Sequence, residues 1–338
     1  MDALVCTQPG TLELQHIPPP VPADGQVLVR PRRIGICGTD YHIFEGKHPF
    51  LNYPRVMGHE LAVEVVDAPA GSGFKAGEIC AVNPYLSCGS CISCRNDRPN
   101  CCTRLSVLGV HQDGGMTELL CLPPDNLIRG DGLSVDACAS VEFLAIGAHA
   151  VRRAGVAKGE RVLVVGTGPI GVGTTMFARI AGGDVSVLDL DVERMRTIAS
   201  ITGGKAIEVP NGTSPADAAL AATDGEGFDV VFDATGNKHS MEASFSYVAH
   251  GGRLIFVGVL DAEICFSDPD FHRREMTLLA SRNATGEDFT HVMAQIRGGA
   301  IPVGSLISHR TSLEASVADL PLWARDKAGL IKAVISID

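Results

Sequence analysis

Nothing in the 338-residue chain approaches a membrane span: no run of 18 apolar residues occurs, although 45% of the sequence is hydrophobic. The opening residues Met1-Asp2-Ala3-Leu4-Val5-Cys6-Thr7 also lack a basic stretch leading into an apolar one, so a secretory signal is not expected. Positive charge is scarce, with 28 Lys and Arg against 39 Asp and Glu and a net charge of −11. A surface that acidic repels phosphate backbones and anionic headgroups, so neither nucleic acid nor membrane is an expected partner. No internal repeat or low-complexity segment is present. What is abundant is glycine, at 38 residues, and cysteine, at 11. An odd cysteine count in a long, signal-free chain fits metal binding or packing better than a disulfide scaffold. The expectation is a globular, cytoplasmic protein of about two domains.

The texture changes along the chain. Residues 1–146 hold short β-type runs, such as Val27-Leu28-Val29-Arg30 and Leu61-Ala62-Val63-Glu64-Val65-Val66, separated by turn signals such as Pro18-Pro19-Pro20 and Gly71-Ser72-Gly73. From residue 147 strands alternate with helices. Strands are predicted at 161–165, 185–188, 206–209, 229–233, 253–257 and 277–280, with helices at 169–181 and from about Val192. Six strands with helical spacers predict a doubly wound parallel sheet over 147–286. The remainder, 287–338, returns to a mixed texture and ends in Leu330-Ile331-Lys332-Ala333-Val334-Ile335, a strand expected to rejoin the first domain.

Gly166-Thr167-Gly168-Pro169-Ile170-Gly171 follows one predicted strand and opens a helix, and Asp189 closes the next strand 23 residues after Gly166. In that context the glycines allow a tight turn, approach of a pyrophosphate and close helix–strand packing. The helix N-terminus offers free N–H groups to the diphosphate. The acid would accept from ribose hydroxyls and repel a 2′-phosphate, which favours NAD over NADP. The plainer alternative is that Asp189 caps the helix near Val192, a role for which Asp191 competes.

Four thiols, Cys88, Cys91, Cys94 and Cys102, fall within fifteen residues. Their spacing suits a closed four-cysteine zinc site, although Cys101 is also placed to serve as the fourth ligand. A second set is scattered: Cys37-Gly38-Thr39-Asp40-Tyr41-His42, Gly58-His59-Glu60, and Glu142 seven residues before His149. Taken singly, each has a dull explanation, since a lone cysteine is usually packed and a lone His-Glu pair is usually at the surface. Spacing does not join them.

Together these motifs resemble the zinc-dependent medium-chain alcohol and polyol dehydrogenases over essentially the whole chain. Gly109-Val110-His111-Gln112-Asp113-Gly114-Gly115, Phe266-Ser267-Asp268-Pro269 and Ser281-Arg282-Asn283-Ala284-Thr285 look most like the L-galactonate 5-dehydrogenase group of sugar-acid enzymes. The resemblance implies an α/β protein. It would have a GroES-like, mostly-β catalytic domain (1–146, with 287–338 returning to it) and a Rossmann domain (147–286) that binds NAD. It implies two zinc ions per chain. Cys37 and His59 would ligate the catalytic zinc, with Glu60 and Glu142 at the two carboxylate positions, while Cys88, Cys91, Cys94 and Cys102 would hold the structural zinc. Asp40 would orient His59 through a hydrogen bond. Zinc would lower the pKa of a substrate hydroxyl, hydride would pass to the nicotinamide, and Thr39 and His42 would relay the proton to water. Cofactor contacts would come from Gly166, Gly168, Pro169, Ile170, Gly171, Asp189, Arg194, Thr235, Val257, Gly258 and Arg282. His48, His111 and Arg282 are candidates for holding a substrate carboxylate. Two departures lie beside ligand positions: Val63 replaces a usual glycine and Phe143 a usual proline.

The implied activity is hydride transfer from a secondary alcohol of a sugar acid or polyol to NAD, with a small molecule as the partner and a homodimer or homotetramer as the assembly. Sorbitol- or threonine-type oxidation on the same scaffold is the alternative within enzymes. A non-catalytic NAD- and zinc-binding protein is the alternative outside them.

Overall fold

A computed structural model describes residues 1–47 and 52–337. These divide into two compact units, one from the described residues of Met1–Phe143 and Thr285–Asp338, the other Leu144–Ala284. Among the described residues no helix is long and apolar enough to cross a membrane.

The first unit is built on a seven-stranded sheet. Its order is Leu127–Arg129, Ile79–Val82, Glu60–Asp67, Val27–Ile36, Lys332–Ser336 and Ile307–Ser312, with Leu120–Leu122 also paired to Val27–Ile36. The long central strand Val27–Ile36 alternates apolar residues that enter the core, such as Val27, Val29, Ile34 and Ile36. The closing strand Lys332–Ser336 lies antiparallel to it, Ala333 opposite Ile36 and Val334 opposite Gly35. On the other side Gly35 faces Glu60. That register brings the end of one strand, the start of another and the C-terminal strand to one end of the sheet. Val63 is fully buried and pairs with Cys80, so the side chain that replaces glycine is absorbed by the core.

The second unit is a six-stranded parallel sheet. The order is Lys205–Ala206, Asp184–Leu188, Arg161–Val165, Phe228–Asp233, Val248–Phe256 and Thr277–Ala280. Val162, Leu163 and Val164 have no exposed surface, as a strand covered on both faces requires. Strand order reverses between Arg161–Val165 and Phe228–Asp233, and crevices at such reversals bind ligands at the carboxyl ends of the strands. Two strands differ from expectation. The predicted strand 206–209 is the short edge pair Lys205–Ala206, ended as the chain runs to Pro210, and the strand predicted at 253–257 begins earlier, at Val248.

Candidate active site and zinc centres

Cys37, His59 and Glu60 converge at the sheet end just described, with one ligand atom from each lying within 4.8 Å of the others. Cys37 leaves strand Val27–Ile36 and caps the short helix Gly38–Phe44. His59 and Glu60 begin strand Glu60–Asp67 and are buried. Glycine at 35 is required by this arrangement, because a methyl group there would overlap the Glu60 carboxylate. Asp40, fully buried, accepts from the backbone N–H of Cys37 at 2.8 Å and of Gly58 at 3.3 Å. It stands 3.9 Å from His59 Nδ1, too far for the hydrogen bond expected from the sequence. Both of its oxygens are drawn to backbone donors, so Asp40 fixes the two ligand-bearing loops rather than the imidazole itself.

Glu142 enters from the first turn of helix Val141–Ala154, is 2% exposed, and accepts a hydrogen bond from the Tyr85 hydroxyl. Thr39 places its hydroxyl 3.8 Å from Cys37 Sγ, and His42 lies exposed in the last turn of the same helix. His111 is exposed, its Nδ1 accepting from Val107 N–H at 3.1 Å. His48 lies outside the described residues.

The sulfurs of Cys88, Cys91, Cys94 and Cys102 also lie within 4.8 Å of one another. Cys101 ends the turn Pro99–Cys101 and is exposed, whereas Cys102 is buried with its sulfur accepting from Cys88 N–H and Arg104 N–H, each at 3.3 Å. It is the sulfur of Cys102, not that of Cys101, that lies with the other three. The Arg104 guanidinium beside Cys88 pulls that thiol down to about 5, which favours the thiolate that a zinc site needs.

In the second unit the glycine turn follows Arg161–Val165, and helix Pro169–Ile180 begins directly after Gly168. Gly166 has a φ of 94°, and a side chain on Gly171 would strike the Gly166 carbonyl. The Asp189 carboxylate takes the Thr167 N–H and hydroxyl, both at 2.6 Å, and the Asp191 N–H at 3.0 Å. Asp191, not Asp189, caps helix Val192–Thr202 by accepting from Arg194 N–H. Arg194 folds back onto the turn, its Nε donating to Thr167 O at 3.2 Å. Thr235 and Gly258 sit at the ends of neighbouring strands: a side chain on Gly166 would meet Thr235, and the N–H groups of Val257 and Gly258 both donate to Asp233 O. Arg282, exposed, follows strand Thr277–Ala280.

Residues 23–131 match the family model of the alcohol dehydrogenase GroES-like domain, and residues 169–297 that of the zinc-binding dehydrogenases. The chain is 40% identical to an L-galactonate-5-dehydrogenase of Escherichia coli K12, covering 99% of each. The chain belongs to the zinc-binding dehydrogenases. Solved structures agree in fold. An Escherichia coli alcohol dehydrogenase, RspB, complexed with NADH superposes with a TM-score of 0.91 at 27% identity, covering 100% of this chain and 99% of that one. An L-idonate 5-dehydrogenase from Escherichia coli gives 0.90 at 25% identity, covering 99% and 98%.

The donor set of this dehydrogenase fits a zinc ion. Cys37, Asp40, Glu60 and Glu142 bring acidic groups together, and Lys332 is the permanent cation among them. Among the described residues the buried His59 Nδ1 and Glu142 Oε2 have no hydrogen-bond partner. A dication would offset that excess of acid. Burial, reinforced by Glu60, pushes Glu142 up to about 7 despite the opposing pull of His59. Burial alone would lower His59, but Cys37, Asp40 and Glu142 hold it well above its ordinary value.

Two residues of the site escaped the sequence. Lys332, 2% exposed, donates to Glu60 Oε1 at 2.5 Å and lies against Oε2. Its Nζ also sits 4.6 Å over the ring of Phe143, so the residue that replaces proline supplies a face for the cation. A lone lysine in an otherwise apolar terminal strand was the available signal. Tyr85 carried none beyond its place three residues before Cys88.

Proposed function

We propose that this dehydrogenase transfers hydride from a secondary alcohol of a sugar acid or polyol, L-galactonate-like in structure, to NAD. The observation that carries this reading is the convergence of Cys37, His59 and Glu60, with the buried Glu142 close enough to interact with the charges of His59 and Glu60. The 40% identity to an L-galactonate-5-dehydrogenase supports the substrate class.

When bound, zinc supplies the Lewis acidity that eases loss of a hydroxyl proton, and NAD accepts the hydride. Cys37 and His59 hold the metal, with Glu60 and Glu142 as its carboxylate partners. Thr39 would hydrogen-bond the substrate hydroxyl and, as it accepts that proton, release its own towards His42. Although exposed, His42 is partly desolvated by its neighbours, which holds it below its ordinary value, so it is neutral and able to take a proton at pH 7. The turn Gly166 to Gly171, with Pro169 and Ile170 opening its helix, receives the diphosphate at the helix N-terminus. Asp189 accepts from the adenosine ribose and repels a 2′-phosphate, Arg194 flanks it, and Thr235, Val257, Gly258 and Arg282 serve the cofactor further along the sheet edge. Cys88, Cys91, Cys94 and Cys102 hold a second, structural zinc.

The division of labour places zinc and substrate on 1–146 with 287–338, and NAD on 147–286. The edge strand Thr277–Ala280 is largely exposed and supports assembly into a homodimer or homotetramer through sheet continuation. Eleven free thiols suit the cytoplasm, where metal-binding cysteines stay reduced.

The test is NADH formation over a panel of aldonates, polyols and threonine, with zinc measured on the same preparation. Turnover of an aldonate with about two zinc ions per chain is expected. Cys37→Ser should abolish turnover and leave NADH binding intact. One zinc per chain with no turnover on any member of the panel would favour the non-catalytic alternative, and full activity in zinc-free Cys37→Ser would end the zinc reading.

A further inference from the structure

Two buried acids, Glu60 of the metal-ligand group and the neighbouring Glu142, are anchored by different partners. Glu60 is tied to the Lys332 cation, whereas Glu142 is held by a neutral donor, the Tyr85 hydroxyl. We propose that Tyr85 is a positioning residue of the zinc site: its hydroxyl pins one oxygen of Glu142 and keeps the second directed to the metal. The inference rests on the zinc reading above.

Three observations carry it. Glu142 Oε1 accepts from Tyr85 while Oε2, buried, has no hydrogen-bond partner among the described residues. An unpaired buried carboxylate oxygen is costly unless something else satisfies it, and a metal centre does so. Tyr85 is itself rigidly placed, 8% exposed and with its ring edge-on to Phe289 at 6.4 Å and 77°. It lies on strand Tyr85–Leu86, which pairs with Ser106–Val107, Tyr85 opposite Val107. The four-cysteine lobe occupies the chain between those two strands, so the hairpin that carries Tyr85 is closed by the lobe. Without the Tyr85 hydrogen bond Glu142 can turn, and a carboxylate free to rotate loses its directed oxygen. With it, Glu142 is preset before metal or substrate arrives.

The test uses the full, zinc-loaded chain and the variants Tyr85→Phe, Glu142→Ala and the double. Phenylalanine keeps the ring against Phe289 and removes only the hydroxyl. Catalytic-site affinity is measured by chelator competition and its geometry by the visible spectrum after cobalt substitution, with the four-cysteine site as internal control. Tyr85→Phe should weaken metal binding at the Cys37 site by about 10–100-fold and alter the cobalt spectrum, as loss of a partner behind a ligand typically does. In the Glu142→Ala background the same change should have no further effect, because the group it acts through is gone. An unchanged affinity and spectrum in Tyr85→Phe, with or without a lower melting temperature, would overturn the proposal. So would an equal loss in both backgrounds. Should Glu142→Ala not fold, the single-variant affinity and spectrum decide alone. A wild-type chain that holds no metal at Cys37 would instead refute the zinc reading, which keeps the two failures distinct.

Discussion

Replacing Lys332 by methionine isolates the energetics of the buried pair. Methionine keeps an unbranched stem of similar length in a pocket that is 2% exposed, so packing changes little while the charge disappears. Glu60, with no exposed surface, is then left facing Cys37 and Glu142 without its cation. Removing one partner of a buried ion pair typically costs about 3–5 kcal/mol. For a unit of this size that is a fall in its melting transition of roughly 6–20 °C. Burial pulls Lys332 down, but Glu60, Cys37 and Glu142 outweigh it and raise its pKa. The pair's stabilisation is therefore complete below the unfolded lysine value of about 10.4, and it is lost only as pH rises through the higher folded value. Lys332 itself should accordingly add no pH dependence to the deficit of Lys332→Met between pH 6 and pH 9. The deficit should be larger after zinc removal, because the metal supplies positive charge beside the same carboxylate. Adding Glu60→Gln should recover most of it, since no buried charge then remains unpaired. Differential scanning calorimetry at matched zinc content reads all three. A fall below about 2 °C, or a double variant as unstable as the single, would refute the reasoning.

Three further outcomes follow from the geometry. Cys102→Ser should lose the structural zinc and, through the hairpin that carries Tyr85, reduce turnover, whereas Cys101→Ser should keep both; zinc content and kcat on the two variants check this. Asp189→Ala removes the charge that repels a 2′-phosphate and should raise kcat/KM for NADP relative to NAD by about tenfold, equivalent to 1.4 kcal/mol, and an unchanged ratio would remove Asp189 from cofactor choice. Because partial desolvation lowers His42, its proton-accepting form persists to below the usual imidazole value, and the acid limb of the wild-type pH–rate profile should lie there. His42→Ala should cost up to about 100-fold near neutral pH, closing as pH rises and hydroxide takes the proton directly, and a parallel profile would argue against the relay.

Local chemistry was legible in the sequence and distant pairing was not. The glycine turn, the acid that follows the next strand and the four-cysteine spacing are all contained within short stretches, so one strand–turn–helix and one loop suffice to assemble them. The alternation of apolar strands and helices likewise announced the doubly wound sheet, because a strand covered on both faces must be apolar throughout. Cys37, His59 and Glu142 were joined only by family resemblance, since spacings of tens of residues carry no geometric information. Asp40 was expected on the imidazole and instead holds backbone, a choice made by which N–H groups happen to be nearest once the loops are folded.

By itself, then, the sequence determined the two textures of the chain, the parallel sheet, the glycine turn and the cysteine lobe, each encoded in contiguous residues. Tertiary structure alone decided how the side chains of Glu60 and Glu142 are held. Lys332 reaches Glu60 across 272 positions because Gly35 pairs with Glu60 on one side and Val334 on the other. Tyr85 reaches Glu142 because a hairpin and a helix meet at the same end of the sheet. Those partners depend on strand register and helix placement, and no short segment of sequence contains either.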